Sequence, residues 1–203
     1  MNLTKPLLSS KRILIVGLGN PSPAYDLTRH NVGNWLLDQL VSRRWNGFTQ
    51  FKKDRRYRHF EISQTSAPEY SHLVLAKSVN TYMNIQGPAV KQLWTSFKKE
   101  KNDDPTLMII HDEIEIGLGK VQLRKGSTSA RGHNGLRSIS TQLDPTYTKM
   151  GLGIDKPDKL SNIKVLDYVL SKFYRNELDV LESVTLEQAS KLIEEVAKGL
   201  HSK

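Results

Sequence analysis

Apolar positions along this chain fall into short unbroken runs separated by stretches with helical spacing. Residues 12–17 (RILIVG) and 106–110 (TLMII) are apolar without polar alternation, the pattern of strands covered on both faces. Residues 57–62, 72–76, 120–124 and 149–154 read as further strands. Leu36, Leu37, Leu40, Val41 and Trp45 recur at helical spacing, as do Val90, Leu93, Trp94 and Phe97. Residues 135–143 predict another helix. Leu178, Leu181, Leu192, Ile193, Val196 and Leu200 predict a C-terminal helical region, with a break expected near Val184 and Thr185. The order β-α-β-β-α-β-β-α-β-α assembles most simply as a single α/β domain, a twisted mixed sheet flanked by helices on both sides.

At 203 residues the chain suits one domain, expected to cover 13–203 after a flexible or targeting segment 1–12. No run reaches the eighteen or so apolar residues of a membrane span, so no membrane partner is expected. The absence of cysteine excludes disulfides, thiolate metal sites and cysteine nucleophiles together. With 30 Lys+Arg against 21 Asp+Glu the net charge is +9, which favours an anionic partner. Nucleic acid fits better than a membrane surface, because the charge is spread through folded sequence. Residues 1–12 carry Lys5, Lys11 and Arg12 and no acid, so they match either a frayed terminus or a short mitochondrial presequence. The expected compartment is accordingly the cytoplasm or the mitochondrial matrix.

Known chemical templates are mostly excluded. The turn Gly17-Leu18-Gly19-Asn20-Pro21-Ser22 has two glycines of a dinucleotide fingerprint, but Ser22 stands at the third. Pro21 and Pro23 also remove N–H groups that a phosphate would need. There is no Walker loop, no G-x-S-x-G and no H-E-x-x-H. No metal is expected, because near His111 and Asp112 only Glu113 and Glu115 offer ligands and no second histidine has ligand spacing.

Two of the six histidines differ from the rest: His30 and His133 are each followed by asparagine and each open a predicted helix. Asp112 sits just past the predicted 106–110 strand, where it would meet the end of the first strand if the two are neighbours. A carboxylate bonded to one ring nitrogen fixes the tautomer of a histidine and raises its basicity, freeing the other nitrogen to activate water. Asn20, Asn84 and Asn134 supply carboxamides able to hold an ester carbonyl or a peptide backbone without added charge.

These residues lie in motifs: GLGNP at 17–21, Y-x-x-T-R-H-N-V-G at 25–33, Y-M-N-x-x-G at 82–87, HDE at 111–113 and GHNGLRS at 132–138. In this set and order, from about 13 to 170, the chain resembles the bacterial-type peptidyl-tRNA hydrolase family. The resemblance implies a three-layer, phosphorylase/hydrolase-like fold and a monomer needing no cofactor or metal. It implies cleavage of the ester between a peptide carboxyl and the 3′-terminal ribose of tRNA, releasing the tRNA for reuse. His30 would be the base, Asp112 its stabiliser, and Asn20 the residue that helps distinguish N-blocked acyl groups. Tyr25, Tyr82, Asn84, His133 and Asn134 would contact substrate, with Met83 packed under the site. Lys149, and either Arg124 or Lys125, would grip the tRNA 5′-phosphate. The chain departs from the family pattern at Ser22 and Arg131, where glycines are usual, and in a 126–131 loop one residue longer. The alternative is a non-catalytic RNA-binding protein on the same fold; a small-molecule esterase fits the charge less well.

One further stretch lies outside these motifs. Residues 43–59 mix seven Lys and Arg with Trp45, Phe48, Phe51 and Tyr57 against one acid, Asp54. Either these aromatics belong to the core, or the stretch grips phosphates and stacks on unpaired bases.

Overall fold

In the computed structural model, which describes residues 11–158 and 162–199, the first apolar run becomes β1 (Ile13–Gly17) at the middle of a seven-stranded sheet. Along the chain follow α1 (Val32–Gln39), β2 (Lys52–Asp54), β3 (Tyr57–Gln64), β4 (Leu73–Ser78), α2 (Gly87–Lys99), β5 (Thr106–Glu113), β6 (Val121–Lys125), α3 (Asn134–Ser140), β7 (Thr148–Gly153), α4 (Val165–Leu170), α5 (Arg175–Val180) and α6 (Leu186–Ala197). The sheet order is β2-β3-β4-β1-β5-β7-β6. β4, β1, β5 and β7 run parallel, and β2, β3 and β6 close the two sides with antiparallel pairings.

The unbroken apolar runs are explained by the layers. Ile13 and Ile15 of β1 and Met108 and Ile110 of β5 pack with α1 and α6, while Leu14, Val16, Leu107 and Ile109 pack with α2 and α3. Both faces of the central strands are therefore dry, and period-two alternation has nothing to separate. The expected α/β architecture with a mixed sheet between helices is what the chain adopts.

β1 lies between β4 and β5, so the chain leaves it in one direction and returns on the other side. Ligands in such sheets bind beyond the carboxyl ends of the strands at that reversal. α1 enters there at close range. A Cβ at Gly17 would stand 2.7 Å from the Gly33 carbonyl oxygen, and one at Gly33 would stand 2.6 Å from the Ile110 carbonyl oxygen. The glycines of this region serve close backbone approach.

Several elements differ from expectation. β5 continues to Glu113, so Asp112 lies inside the strand, paired with Leu152 of β7. The predicted break near Val184 and Thr185 is a π-helical turn, Leu181–Thr185, joining α5 to α6 without interruption. Its extra residue shifts the helical phase so that Leu181, Thr185 and Leu186 all stay buried. β2 and α4 are too short to leave a periodic signal. Leu200, assigned to the last helix from its spacing, lies outside the described residues, as do residues 1–10. Arg12 does not behave as part of a tail: its guanidinium forks onto Asp103 at 2.7 and 2.9 Å and donates to the Phe97 carbonyl.

The 43–59 stretch resolves toward the core. Trp45 is buried and stacks on Phe48 at 5.7 Å, beside Tyr70, and Tyr57 is buried as well. Phe51 is partly buried against the same cluster. Burial withdraws Trp45 and Tyr57 from base stacking, Phe48 and Phe51 are partly buried, and the cations stay at the surface.

Replacing Gly33 by alanine is expected to lower stability by roughly 1–3 kcal/mol, since backbone on the facing strand cannot yield to the added methyl. Urea unfolding should show a lower midpoint at unchanged slope.

Candidate active site

Three separate segments meet at the carboxyl ends of β1 and β5. Past β1 the chain turns through Leu18, whose N–H donates to the Ile110 carbonyl at 3.0 Å, and reaches Asn20. A single 3-10 turn, Arg29–Asn31, then carries His30 into α1. From β5 comes Asp112, and from the start of α3 comes His133.

Asp112 is buried, and its Oδ1 accepts from both rings. His30 Nδ1 lies 2.7 Å away and His133 Nε2 2.9 Å. The tautomers follow from the surroundings. His133 caps α3, its Nδ1 accepting the Leu136 N–H at 3.2 Å, so its proton sits on Nε2 and goes to Asp112. An ionised Asp112 only accepts, so His30 donates from Nδ1. His30 Nε2 is then the basic nitrogen, and His30 lines a cavity of about 260 Å³ shared with His111, Asp112, His133, Val165, Leu166 and others.

The charges suit that arrangement. Burial works against the His30 imidazolium, but the charge and hydrogen bond of Asp112 more than offset it, and the pKa of His30 rises above its ordinary value. Burial would push the Asp112 carboxyl up; the two histidines beside it outweigh this and hold it well below the usual carboxylate range. His111 is fully buried, and desolvation with help from His133 brings it down to about 3. It stays neutral and donates from Nδ1 to the Asp112 backbone carbonyl at 2.7 Å.

Asn20 is held just as firmly. Its N–H donates to Asn31 Oδ1 at 2.8 Å, its carbonyl accepts from Asn31 Nδ2 at 3.0 Å, and its Oδ1 accepts the Met83 N–H at 2.9 Å. The Oδ1 being taken, the Nδ2 amide remains as a donor without a partner among the described residues, on a residue that lines a cavity with Asn31 and Asn34. Met83 is buried as expected, and a Cβ on Gly135 would lie 2.5 Å from its Cγ. Tyr25 and Tyr82 meet edge to face at 6.1 Å, with Tyr82 54% exposed. Asn84 and Asn134 are exposed.

Some expected contacts are placed differently. His133 lines the cavity, but both of its ring nitrogens are engaged, Nε2 by Asp112 and Nδ1 by the Leu136 N–H, so it has no ring nitrogen left to hydrogen-bond a substrate. Lys149 is 1% exposed, and its ammonium donates to the Thr128 and Ser129 carbonyls at 2.6 and 3.3 Å. Desolvation, with Arg124 adding to it, pulls that amine down to about 8. Its side chain points into the protein, under the 126–131 loop, so it presents no open cation to a phosphate. Arg124 lies 3.5 Å from Glu113, which also pairs with Arg131 at 3.3 Å. Lys125 and Arg131 are the exposed cations of that group, and of the two Arg131 is paired with Glu113.

His30, Asp112 and His133 bring three possible ligand atoms within 4.8 Å of one another, a cluster invisible in the sequence spacing. The donor chemistry does not suit a resident cation. Metal on His133 Nε2 would require its remaining proton on Nδ1, directly against the Leu136 N–H.

A buried carboxylate bonded to a histidine at the switch point of an α/β sheet defines a hydrolase-type site, with the locked carboxamide of Asn20 tied to the residue after that histidine, Asn31, and lining a neighbouring cavity. A profile of the peptidyl-tRNA hydrolase family matches residues 14–203. The chain is 33% identical over 190 residues to the peptidyl-tRNA hydrolase of Kineococcus radiotolerans, covering 93% of each. It is 38% identical over 173 residues to that of Leptothrix cholodnii, covering 84% of this chain and 75% of the relative. The crystal structure of the Acinetobacter baumannii peptidyl-tRNA hydrolase superposes with a TM-score of 0.76 at 31% identity, covering 94% of this chain and 91% of the other. The chain belongs to the peptidyl-tRNA hydrolase family.

Asp112→Asn removes the charge that raises the His30 pKa and leaves burial, which lowers it. The His30 ring is therefore expected to titrate at lower pH in the variant than in the parent, as read by NMR.

Proposed function

We propose that this chain hydrolyses the ester joining a peptide to the 3′-terminal ribose of tRNA, with His30 as general base. The observation that carries this reading is the 2.7 Å bond from His30 Nδ1 to a buried Asp112, which leaves Nε2 basic in an open cavity. Nε2 takes a proton from water as the water oxygen attacks the ester carbonyl carbon. Asp112 balances the imidazolium, worth most where water is excluded. The Nδ2 hydrogens of Asn20 donate to an acceptor on the acyl part, so that an N-blocked group is held where a free ammonium is not. As the tetrahedral intermediate collapses, the carbon–oxygen bond to the ribose breaks and the departing 3′-oxygen takes the proton back from His30. Peptide carboxylate and free tRNA result, and no cofactor is consumed.

The acceptor end of the tRNA would lie between the Tyr25–Tyr82 pair and Asn134, with Asn84 beside it. Lys125 is the residue best supported as the contact to the 5′-phosphate, being charged and open to solvent, with Arg124 behind it. The protein works as a monomer. Its compartment is cytoplasm or mitochondrial matrix, a reading that rests on the basic, acid-free residues 1–12; among the described residues no helix is long and apolar enough to cross a membrane.

The deciding assay compares N-acetylaminoacyl-tRNA with the same tRNA carrying the free amino acid. Cleavage of the blocked ester alone is expected. His30→Ala should lose at least about 100-fold in kcat while remaining folded, the usual contribution of a general base. A folded His30→Ala protein with full activity would overturn the mechanism, and tRNA binding without turnover by the parent would identify an RNA-binding protein instead. Lys125→Gln should raise KM and reduce the slope of log KM against log salt by about 1, with kcat preserved.

A further inference from the structure

Arg29 precedes the base and has no part in the chemistry above, yet it is among the most completely enclosed charges in the protein. Its side chain is 2% exposed. One Nη donates to both Glu177 oxygens at 2.8 Å and the other to the Lys172 carbonyl at 3.1 Å. The guanidinium lies over Tyr168 at 4.5 Å and Phe173 at 4.9 Å. Main chain reinforces this: Arg29 N–H donates to the Ser171 carbonyl at 3.0 Å, and Thr28 bridges to Lys172. Glu177 in turn accepts the Tyr174 N–H at 2.7 Å. The turn bearing His30 is thus locked to the link between α4 and α5.

α4 is what the lock holds. Val165, Leu166 and Val169 of this six-residue helix form the apolar wall of the cavity that His30, Asp112 and His133 line. Leu166 is 62% exposed and Val165 51%, large fractions for aliphatic side chains. Tyr168 and Val169 seat one face of this short helix in the core, and the buried fork fixes the link that leaves it, so the two together set where Val165 and Leu166 stand. A forked guanidinium in an aromatic cage sets a distance and an angle together, which a lysine cannot do.

We propose that Arg29 and Glu177 are positioning residues that set the spacing between the α4 wall and His30, and through it selectivity for esters whose acyl residue is large and apolar. This rests on the ester hydrolysis proposed above. The test uses one tRNA charged with either N-acetylphenylalanine or N-acetylglycine. Glu177→Gln and Leu166→Ala should each raise KM for the phenylalanyl ester about tenfold and leave that for the glycyl ester within about twofold, the scale of an apolar contact. The pH midpoint of kcat/KM should not move, because His30 keeps Asp112. In the double variant the two effects should not add, since both act through one wall. Arg29→Lys should follow Glu177→Gln.

An unchanged ratio of the two KM values in Glu177→Gln or in Leu166→Ala would overturn the proposal. So would additivity in the double variant, or a shifted pH midpoint shared by both esters. If neither Glu177→Gln nor Arg29→Lys folds, the pair is a determinant of the fold and the positioning role is overturned. Failure of the underlying reading is distinct: the parent protein would then cleave neither ester.

Discussion

A single carboxylate oxygen, Oδ1 of Asp112, organises the reactive end of the molecule. Burying an ionised carboxylate costs several kcal/mol unless charge-assisted hydrogen bonds replace its water. Two ring N–H groups do so, one from the turn after β1 and one from the start of α3. Neither segment is adjacent to β5 in sequence, so satisfying that oxygen requires α1 and α3 to be docked on opposite sides of the sheet. The glycine contacts of Gly33 and Gly135 are the steric counterpart, letting those helix starts come close enough.

The same bond sets a tension between stability and reactivity. Asp112 has a depressed pKa, so its contribution to stability is present above the ordinary carboxyl value near 4 and is lost as pH falls further. His30 has a raised pKa, so its contribution is complete below its ordinary value near 6.5 and is lost as pH rises through the folded value. The charged pair is thus strongest between roughly 4 and 6.5, where His30 holds a proton and cannot act as a base. Above that range the site gives up part of the charged pair and His30 reaches the neutral form that its proposed role as base requires. His111, neutral down to about 3, adds no competing charge.

A second ring of charges supports the site from beneath. Glu113 pairs with both Arg124 and Arg131, and Lys149 draws the 126–131 loop onto β7 through carbonyl groups. These cations count toward the net +9 that favours an anionic partner, yet the Lys149 ammonium is turned inward and Arg124 and Arg131 share Glu113. A basic composition therefore overstates how many residues can touch phosphate. The aromatics of 43–59 carry a similar lesson: Trp45 and Phe48 interleave with cations in the sequence and with Tyr70 in the core.

Local physics alone made β1, β4, β5, α1 and α2 legible, because burial on both faces of a strand or one face of a helix writes its period directly into the chain. It also singled out His30, His133 and Asp112 as the residues with chemistry to explain. Short elements were not legible: β2 and α4 are too brief for a period to register, and the π turn at Leu181–Thr185 looks like a broken stripe until its extra residue is seen. What only the tertiary structure decided is which groups share a bond. His30 and Asp112 are 82 positions apart, and Arg29 and Glu177 are 148 apart. Residue type states what a side chain can donate or accept, whereas distance and burial, which depend on how strands are ordered in the sheet, determine whether Lys149 meets a phosphate or a carbonyl and whether His133 meets a substrate or a carboxylate.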